Sequence, residues 1–183
     1  MTEISDRAMS STVRQFVLHW GEMGTRWGIN RTVAQIHALL YLSVRPMHAE
    51  EIAEQLSVAR SNVSGSLREL QGWGIVRVVH VLGDRRDHFE SMKQVWEMFR
   101  IIVEECKRRE VDPTVAMLRS CIQDPAAKSD KYIHDRLTEM LGFFETMLAF
   151  YEDAKHVSPS AIQQFAKMRA GMSLLSPKKG KGR

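Results

Sequence analysis

A single run of β-branched residues interrupts a chain whose other segments have helical spacing. The run IVRVVHVL, residues 75–82, lies between two glycines and predicts a strand. The polar segment GDRRD, residues 83–87, follows as a turn, and residues 88–90 can return as a short partner strand. Because one such hairpin cannot bury a core by itself, the helices must supply the core. The sequence therefore predicts a mainly α fold with a small β-wing.

Apolar residues recur at steps of three and four on both sides of this run, which is the spacing of amphipathic helices. Before the run, it predicts helices over residues 6–28, 31–43, 49–56 and 61–72. After it, helices are predicted over residues 91–110, 114–123, 130–156 and 160–175, with prolines at three of the connections. A pair of helices followed by a strand, a turn and a strand is the order of a winged helix-turn-helix, here flanked by long helices.

The segment SNVSGSLREL, residues 61–70, has an unusual outer face for a helix. Val63, Leu67 and Leu70 have the spacing of a buried stripe, which turns small and polar residues outward. A helix in the major groove, about 12 Å wide, needs small side chains where its axis comes nearest the bases. The residues predicted to face the major groove are Arg60, Ser61, Asn62, Ser64, Gly65 and Arg68.

The turn at residues 83–87 predicts a second DNA contact. Arg85 and Arg86 would lie at the tip of the wing, where a narrow minor groove attracts arginine. Asp84 and Asp87 allow two interpretations of this turn. They either orient the arginines through local ion pairs or balance the charge of a solvated turn.

The segments SNVSGSLRELQGWGIV and GDRRDHFE resemble the GbsR branch of the MarR-type regulators, and the resemblance extends over about residues 15–105. It implies a homodimeric, DNA-binding transcriptional regulator, usually a repressor, linked to osmoprotectant genes and choline-type ligands. Two positions depart from that pattern. His48 and Ala59 stand where serine or threonine commonly caps the helices, and Ser57 is the alternative cap for the second helix.

The predicted elements divide the chain into four parts: an N-terminal dimerisation helix (residues 1–28), the winged helix-turn-helix (29–92), a helical dimerisation and effector region (93–176), and a disordered basic tail (177–183). The alternative for the long helices is an intramolecular helical domain. The chain has 26 basic and 22 acidic residues, and four of the basic ones lie in the tail. The remainder is neutral, so a DNA-binding surface must be local.

Aromatic residues of the first two helices predict a candidate effector site. Trp20 and Trp27 share one helical face, Tyr41 lies in the next helix, and such rings can hold a quaternary ammonium by cation–π attraction. The competing interpretation is an ordinary aromatic core. His37 is expected to be a core residue with its hydrogen bonds satisfied, and Cys106 an inert thiol within an apolar stripe.

Other classes of function find no support in the sequence. It contains none of the nucleotide-binding, metalloprotease or nucleophile-elbow motifs, so we expect no enzyme, cofactor or metal site. Two distant cysteines, no long apolar run and no secretory pattern indicate a cytoplasmic protein. The runner-up function is a winged helix that binds another protein without specific DNA binding.

Overall fold

A computed structural model of the chain describes residues 9–175, which form two compact units, residues 9–110 and residues 111–175. The basic tail at 177–183, and the first residues of the helix predicted from residue 6, lie outside the described residues. No helix within residues 9–175 is long and apolar enough to cross a membrane. The dimerisation roles expected for residues 1–28 and 93–176 stay predictions.

Unit 1 contains five α-helices and a three-stranded sheet. The helices are α1 (Ser11–Arg26), α2 (Arg31–Leu42), α3 (Ala49–Leu56), α4 (Arg60–Gly72) and α5 (Val95–Cys106), and a π-helical turn follows at Lys107–Val111. The strands are β1 (Met47–His48), β2 (Val76–Val79) and β3 (His88–Ser91), antiparallel in the order β1-β3-β2. The winged helix-turn-helix predicted from the sequence is confirmed.

The sheet differs from the sequence prediction in two ways. Strand β1 was not predicted; Met47 pairs with Phe89 and His48 with His88, so its existence depends on a partner far along the chain. Strand β2 is shorter than the predicted run 75–82, and Leu82 is fully exposed beyond its end. Side chains at the end of a β-branched run have no partner strand to pack against once the wing turns, so residues 80–82 leave the sheet.

The predicted inward stripe of α4 is confirmed as part of the core of unit 1. Val63, Leu67 and Leu70 are all almost fully buried, in one cluster with Ile36 of α2 and Ile52 of α3. Burying each such side chain stabilises the fold by about 1.5–3 kcal/mol. The rotation of α4 about its own axis is therefore determined by these contacts.

The helix starts show which residues act as caps. The Nδ1 atom of His48 accepts a hydrogen bond from the Glu51 amide at 3.3 Å, so His48 caps α3. Ala59 precedes α4 and gives it no side-chain cap. The alternative that Ser57 caps α4 is wrong, because Ser57 ends α3 in the left-handed conformation, with φ of 54°. Helix α1 begins at Ser11, and the Ser10 hydroxyl caps it by accepting a hydrogen bond from the Val13 amide at 3.3 Å.

Unit 2 consists of α6 (Asp112–Gln123), α7 (Pro125–Ser129), α8 (Lys131–Ala154) and α9 (Pro159–Leu175). Pro113 and Pro125 lie in the first turns of α6 and α7 rather than between helices, since a first-turn position needs no amide donor. Helix α8 has no buried residue, and its large apolar side chains are exposed: Tyr132, Ile133, Met140, Phe143, Met147 and Phe150.

Candidate nucleic-acid interface and effector cavity

The outer face of α4 is open, as the sequence predicts for a helix that enters a groove. Ser61, Asn62 and Arg68 are exposed. A Cβ atom built on Gly65 would meet no other atom within 4 Å, so the space beside this backbone is empty. The buried stripe on the opposite side holds this bare surface outward, and an incoming molecule can approach the helix axis closely.

Arg60, at the start of α4, is held by two neighbours. Its Nε donates to Oε1 of Glu50 in α3 at 2.6 Å, and its Nη1 donates to the Ser64 hydroxyl at 2.7 Å. The Ser64 hydroxyl in turn donates to the Arg60 carbonyl at 3.1 Å. Because a hydroxyl has a single proton, Ser64 can offer a ligand an acceptor but no donor in this arrangement.

Glu50 is the residue of this face that the sequence prediction missed. Its pKa is lowered to about 2, chiefly by the hydrogen bond from Arg60, so the carboxylate is ionised at neutral pH. The pairing joins residues ten positions apart on two helices, and no local spacing pattern indicates it. Arg68, in contrast, makes no hydrogen bond or ion pair with any residue in the described part of the chain.

Of the two wing arginines, likewise, one is paired with a carboxylate and the other is not. The Arg86 Nε donates to Asp84 at 2.9 Å, which holds the pKa of that carboxyl well below its usual range, and the Arg86 backbone amide donates to the same group. The interpretation that Asp84 orients an arginine is thus confirmed for Arg86. Arg85 is exposed and has no partner within residues 9–175, and Gly83 makes the turn with φ of 86°.

A groove of about 340 Å³ separates α4 from the wing. It brings together four of the predicted residues, Arg60, Ser64, Arg68 and Arg86, with Glu50 and Gln71 beside them. The apolar residues Ala49, Leu67, Val78 and Phe89 also line it. The other predicted residues, Ser61, Asn62, Gly65 and Arg85, lie outside this groove.

A second cavity, of about 180 Å³, lies within unit 1 among α1, α2 and α5. Trp20 and Trp27, two residues of the predicted effector site, line it together with Trp73 and Phe99. Tyr41, the third residue of the predicted effector site, does not line this cavity. Its ring lies 5.6 Å from the Lys93 ammonium, which donates to the carbonyls that end α2.

His37 lines the same cavity and is only 3% exposed. Its core position was predicted, but the expectation of satisfied hydrogen bonds is wrong, since its Nε2 has no partner among the described residues. Burial, and secondarily the charge of Lys93, lowers its pKa to about 4. His37 is therefore neutral at pH 7, and the cavity around it is almost entirely apolar.

The remaining candidate groups are the two cysteines and possible metal ligands. Burial raises the pKa of the Cys106 thiol, as expected for an inert cysteine. Cys106 and Cys121 are both free thiols. No group of three or more histidine, cysteine, aspartate or glutamate residues within the described range could hold a metal ion.

Comparison with known proteins identifies the type of fold. Residues 27–87 match the MarR family. The chain also resembles the crystal structure of a transcriptional regulator, with 22% identity and a TM-score of 0.50, over 78% of this chain and 99% of that one. A transcriptional regulator from Thermotoga maritima has 20% identity and a TM-score of 0.38, over 75% and 92% of the two chains. No curated protein sequence matches significantly. Residues 27–87 are thus similar to the MarR family, and the first of these structures agrees with the winged helix-turn-helix fold.

The state of His37 predicts how stability depends on pH. The unfolded chain binds a proton on this histidine near pH 6.5, whereas the folded chain does so only near pH 4. Protonation of this group should therefore lower the free energy of unfolding by about 3 kcal/mol as pH falls from 6.5 to 4. Above pH 6.5 this group should not change the free energy of unfolding. Urea unfolding of the wild type and of His37→Phe measures this. Equal pH dependence of the two proteins would contradict the assignment.

Proposed function

We propose that this chain, whose residues 27–87 match the MarR family, is a sequence-specific, DNA-binding transcriptional regulator rather than an enzyme. The observation that carries the proposal is the outer face of α4. A bare backbone at Gly65, small polar side chains and two arginines stand opposite a buried stripe that fixes their orientation. This surface has the size and chemistry that the major groove requires.

The contacts of the side chains assign them different roles in this proposal. Ser64 offers an acceptor, which suits the amino groups of adenine and cytosine and does not suit a phosphate. Ser61 and Asn62 contact base edges or phosphates near the helix start. Arg68 and Arg85 have no internal partner and pair with phosphates, while Arg86 is held by Asp84 for the minor groove or its phosphates.

The apolar surface of unit 2 supports a homodimer. Helix α8 exposes a row of large apolar side chains along its length, and Ile162, Phe165 and Met168 of α9 are exposed as well. Monomeric proteins rarely leave large contiguous apolar patches in water. A second copy of the chain would cover it, and a two-fold dimer would place two α4 helices about 34 Å apart on one side of the DNA.

The resemblance to the GbsR branch supports three further parts of the proposal. The protein represses rather than activates transcription, controls osmoprotectant genes and acts in the cytoplasm. The runner-up is a winged helix that binds a protein partner. Such a module would display large apolar residues on α4, whereas this face carries hydroxyl, amide and guanidinium groups.

Gly65→Glu should abolish DNA binding without unfolding the protein. The new side chain has open space in the free protein, so the fold tolerates it, but it would place a carboxylate where the bases come closest. Gly65→Ala is the matched control, and we expect it to fold at least as stably because alanine favours helix by up to about 1 kcal/mol. Fluorescence anisotropy with labelled duplex DNA measures binding, and retained affinity in folded Gly65→Glu would mean that α4 lies outside the groove.

We infer a second role for the cavity of unit 1, as the site of a small effector. The sequence suggested a quaternary ammonium, and three tryptophans, Trp20, Trp27 and Trp73, line the cavity. No carboxylate is among the lining residues, so the indole faces would supply the attraction to such a cation.

Isothermal titration calorimetry with choline and with betaine tests this role. We expect saturable heat with the wild type and at least about a tenfold loss of affinity in Trp27→Ala, because one aromatic face of the site is removed. Trp27 is half-exposed, so its replacement should leave the fold intact. Trp96→Ala is the control, since Trp96 is exposed and does not line the cavity. An absence of heat with the folded wild type would eliminate the quaternary ammonium proposal.

A further inference from the structure

We propose that Glu50 is a specificity-determining residue that acts through Arg60, holding this arginine for base recognition and suppressing its attraction to any DNA phosphate. The inference rests on the proposed DNA-binding function. It adds a role for an acidic residue of α3, outside the helix predicted to face the major groove.

The geometry leaves Arg60 little freedom. Glu50 holds the Nε edge of the guanidinium and Ser64 accepts from Nη1, so the group is fixed at two points on two helices. The remaining N–H groups of Arg60 stay available, and both residues line the groove between α4 and the wing. A guanidinium fixed in this way can donate in a defined direction, which a bidentate contact with guanine requires.

Stability does not explain the pair. The side chains of Arg60 and Glu50 are both about half-exposed, at 55% and 51%. Exposed ion pairs contribute little to the free energy of folding, because water screens them and two long side chains lose their freedom. The reason for the Glu50–Arg60 pair is therefore a functional one, since the pair lies on the face predicted to bind DNA.

The charge of Glu50 affects non-specific DNA binding and operator binding differently. An ionised carboxylate on this face repels phosphates and cancels the charge of Arg60, which weakens binding to every sequence. On the operator, a contact between the fixed Arg60 guanidinium and a base offsets this loss of affinity. Arg68 lies on the same helix but has no partner in the described part of the chain. It would therefore strengthen binding to all sequences equally.

The test compares Glu50→Gln with the wild type. Glutamine keeps the shape and one hydrogen bond to Arg60 but removes the charge. Affinities are measured by anisotropy, over a range of salt concentrations, for an operator selected with the wild type and for a scrambled duplex of the same length and composition. Glu145→Gln is the matched control, because Glu145 forms a similarly exposed pair with Arg119, at 2.9 Å, in unit 2.

We expect Glu50→Gln to bind scrambled DNA more tightly, with a salt dependence steeper by about one unit, and to lose about fivefold or more of its preference for the operator. Glu145→Gln should change neither quantity. In an Arg60→Ala background, Glu50→Gln should no longer alter the preference, because the residue through which it acts is gone. A merely structural role would leave the salt dependence and the preference of folded Glu50→Gln unchanged.

The outcomes separate this inference from the function on which it rests. If the wild type prefers no sequence over scrambled DNA, the proposed function fails and the inference fails with it. If the wild type discriminates and Glu50→Gln discriminates equally well, only the inference is overturned. If Glu50→Gln still alters the preference after Arg60→Ala, the carboxylate contacts DNA itself and the assignment to Arg60 is overturned.

Discussion

The burial of one stripe of α4 determines which residues of this helix face outward. Val63, Leu67 and Leu70 pack into the core that α2 and α3 provide, and this contact fixes the rotation of the helix. A rotation of about 100°, the angle between successive residues, would bury polar side chains and expose leucines. Because the stripe is fixed, the bare backbone at Gly65 and the arginines near it always face the same way. The wing then closes one side of the groove beside them.

The arginines of this face differ in whether a carboxylate pairs with them. Arg60 and Arg86 are each held by a carboxylate, while Arg68 and Arg85 have no partner in the described part of the chain. Held arginines favour directional contacts, and unpaired ones favour the diffuse attraction of phosphates. A surface of both kinds agrees with a chain that is neutral outside its basic tail, because affinity then depends on where the few charges lie rather than on their sum.

Local patterns in the sequence were sufficient to predict the helices, the hairpin and which side of α4 is buried, since spacing alone distinguishes the buried from the exposed side. They could not predict contacts between distant segments. Strand β1 has two residues and exists because β3 pairs with it. Glu50 meets Arg60 only after α3 and α4 pack together, and Tyr41 lies beside Lys93, which follows β3. The unsatisfied Nε2 of His37 likewise depends on the surrounding core rather than on its neighbours in sequence.

The two candidate sites share α2. Its residues Ile36 and Leu40 belong to the core against which α4 packs, and its residue His37 lines the apolar cavity. Lys93 holds the carboxyl end of the same helix through the carbonyls of Leu40 and Tyr41. Helix α4 and the cavity are therefore both in contact with α2, which connects the proposed DNA-binding surface and the proposed effector site within unit 1.

Selection of bound fragments from a random pool of duplex DNA tests the central claim most directly. A two-fold pair of α4 helices reading the major groove predicts enrichment of a palindrome with half-sites about one helical turn apart. Enrichment that resists higher salt would show that bases are being read. If the folded protein enriches no sequence over the starting pool, the outer face of α4 does not read DNA and the account is wrong.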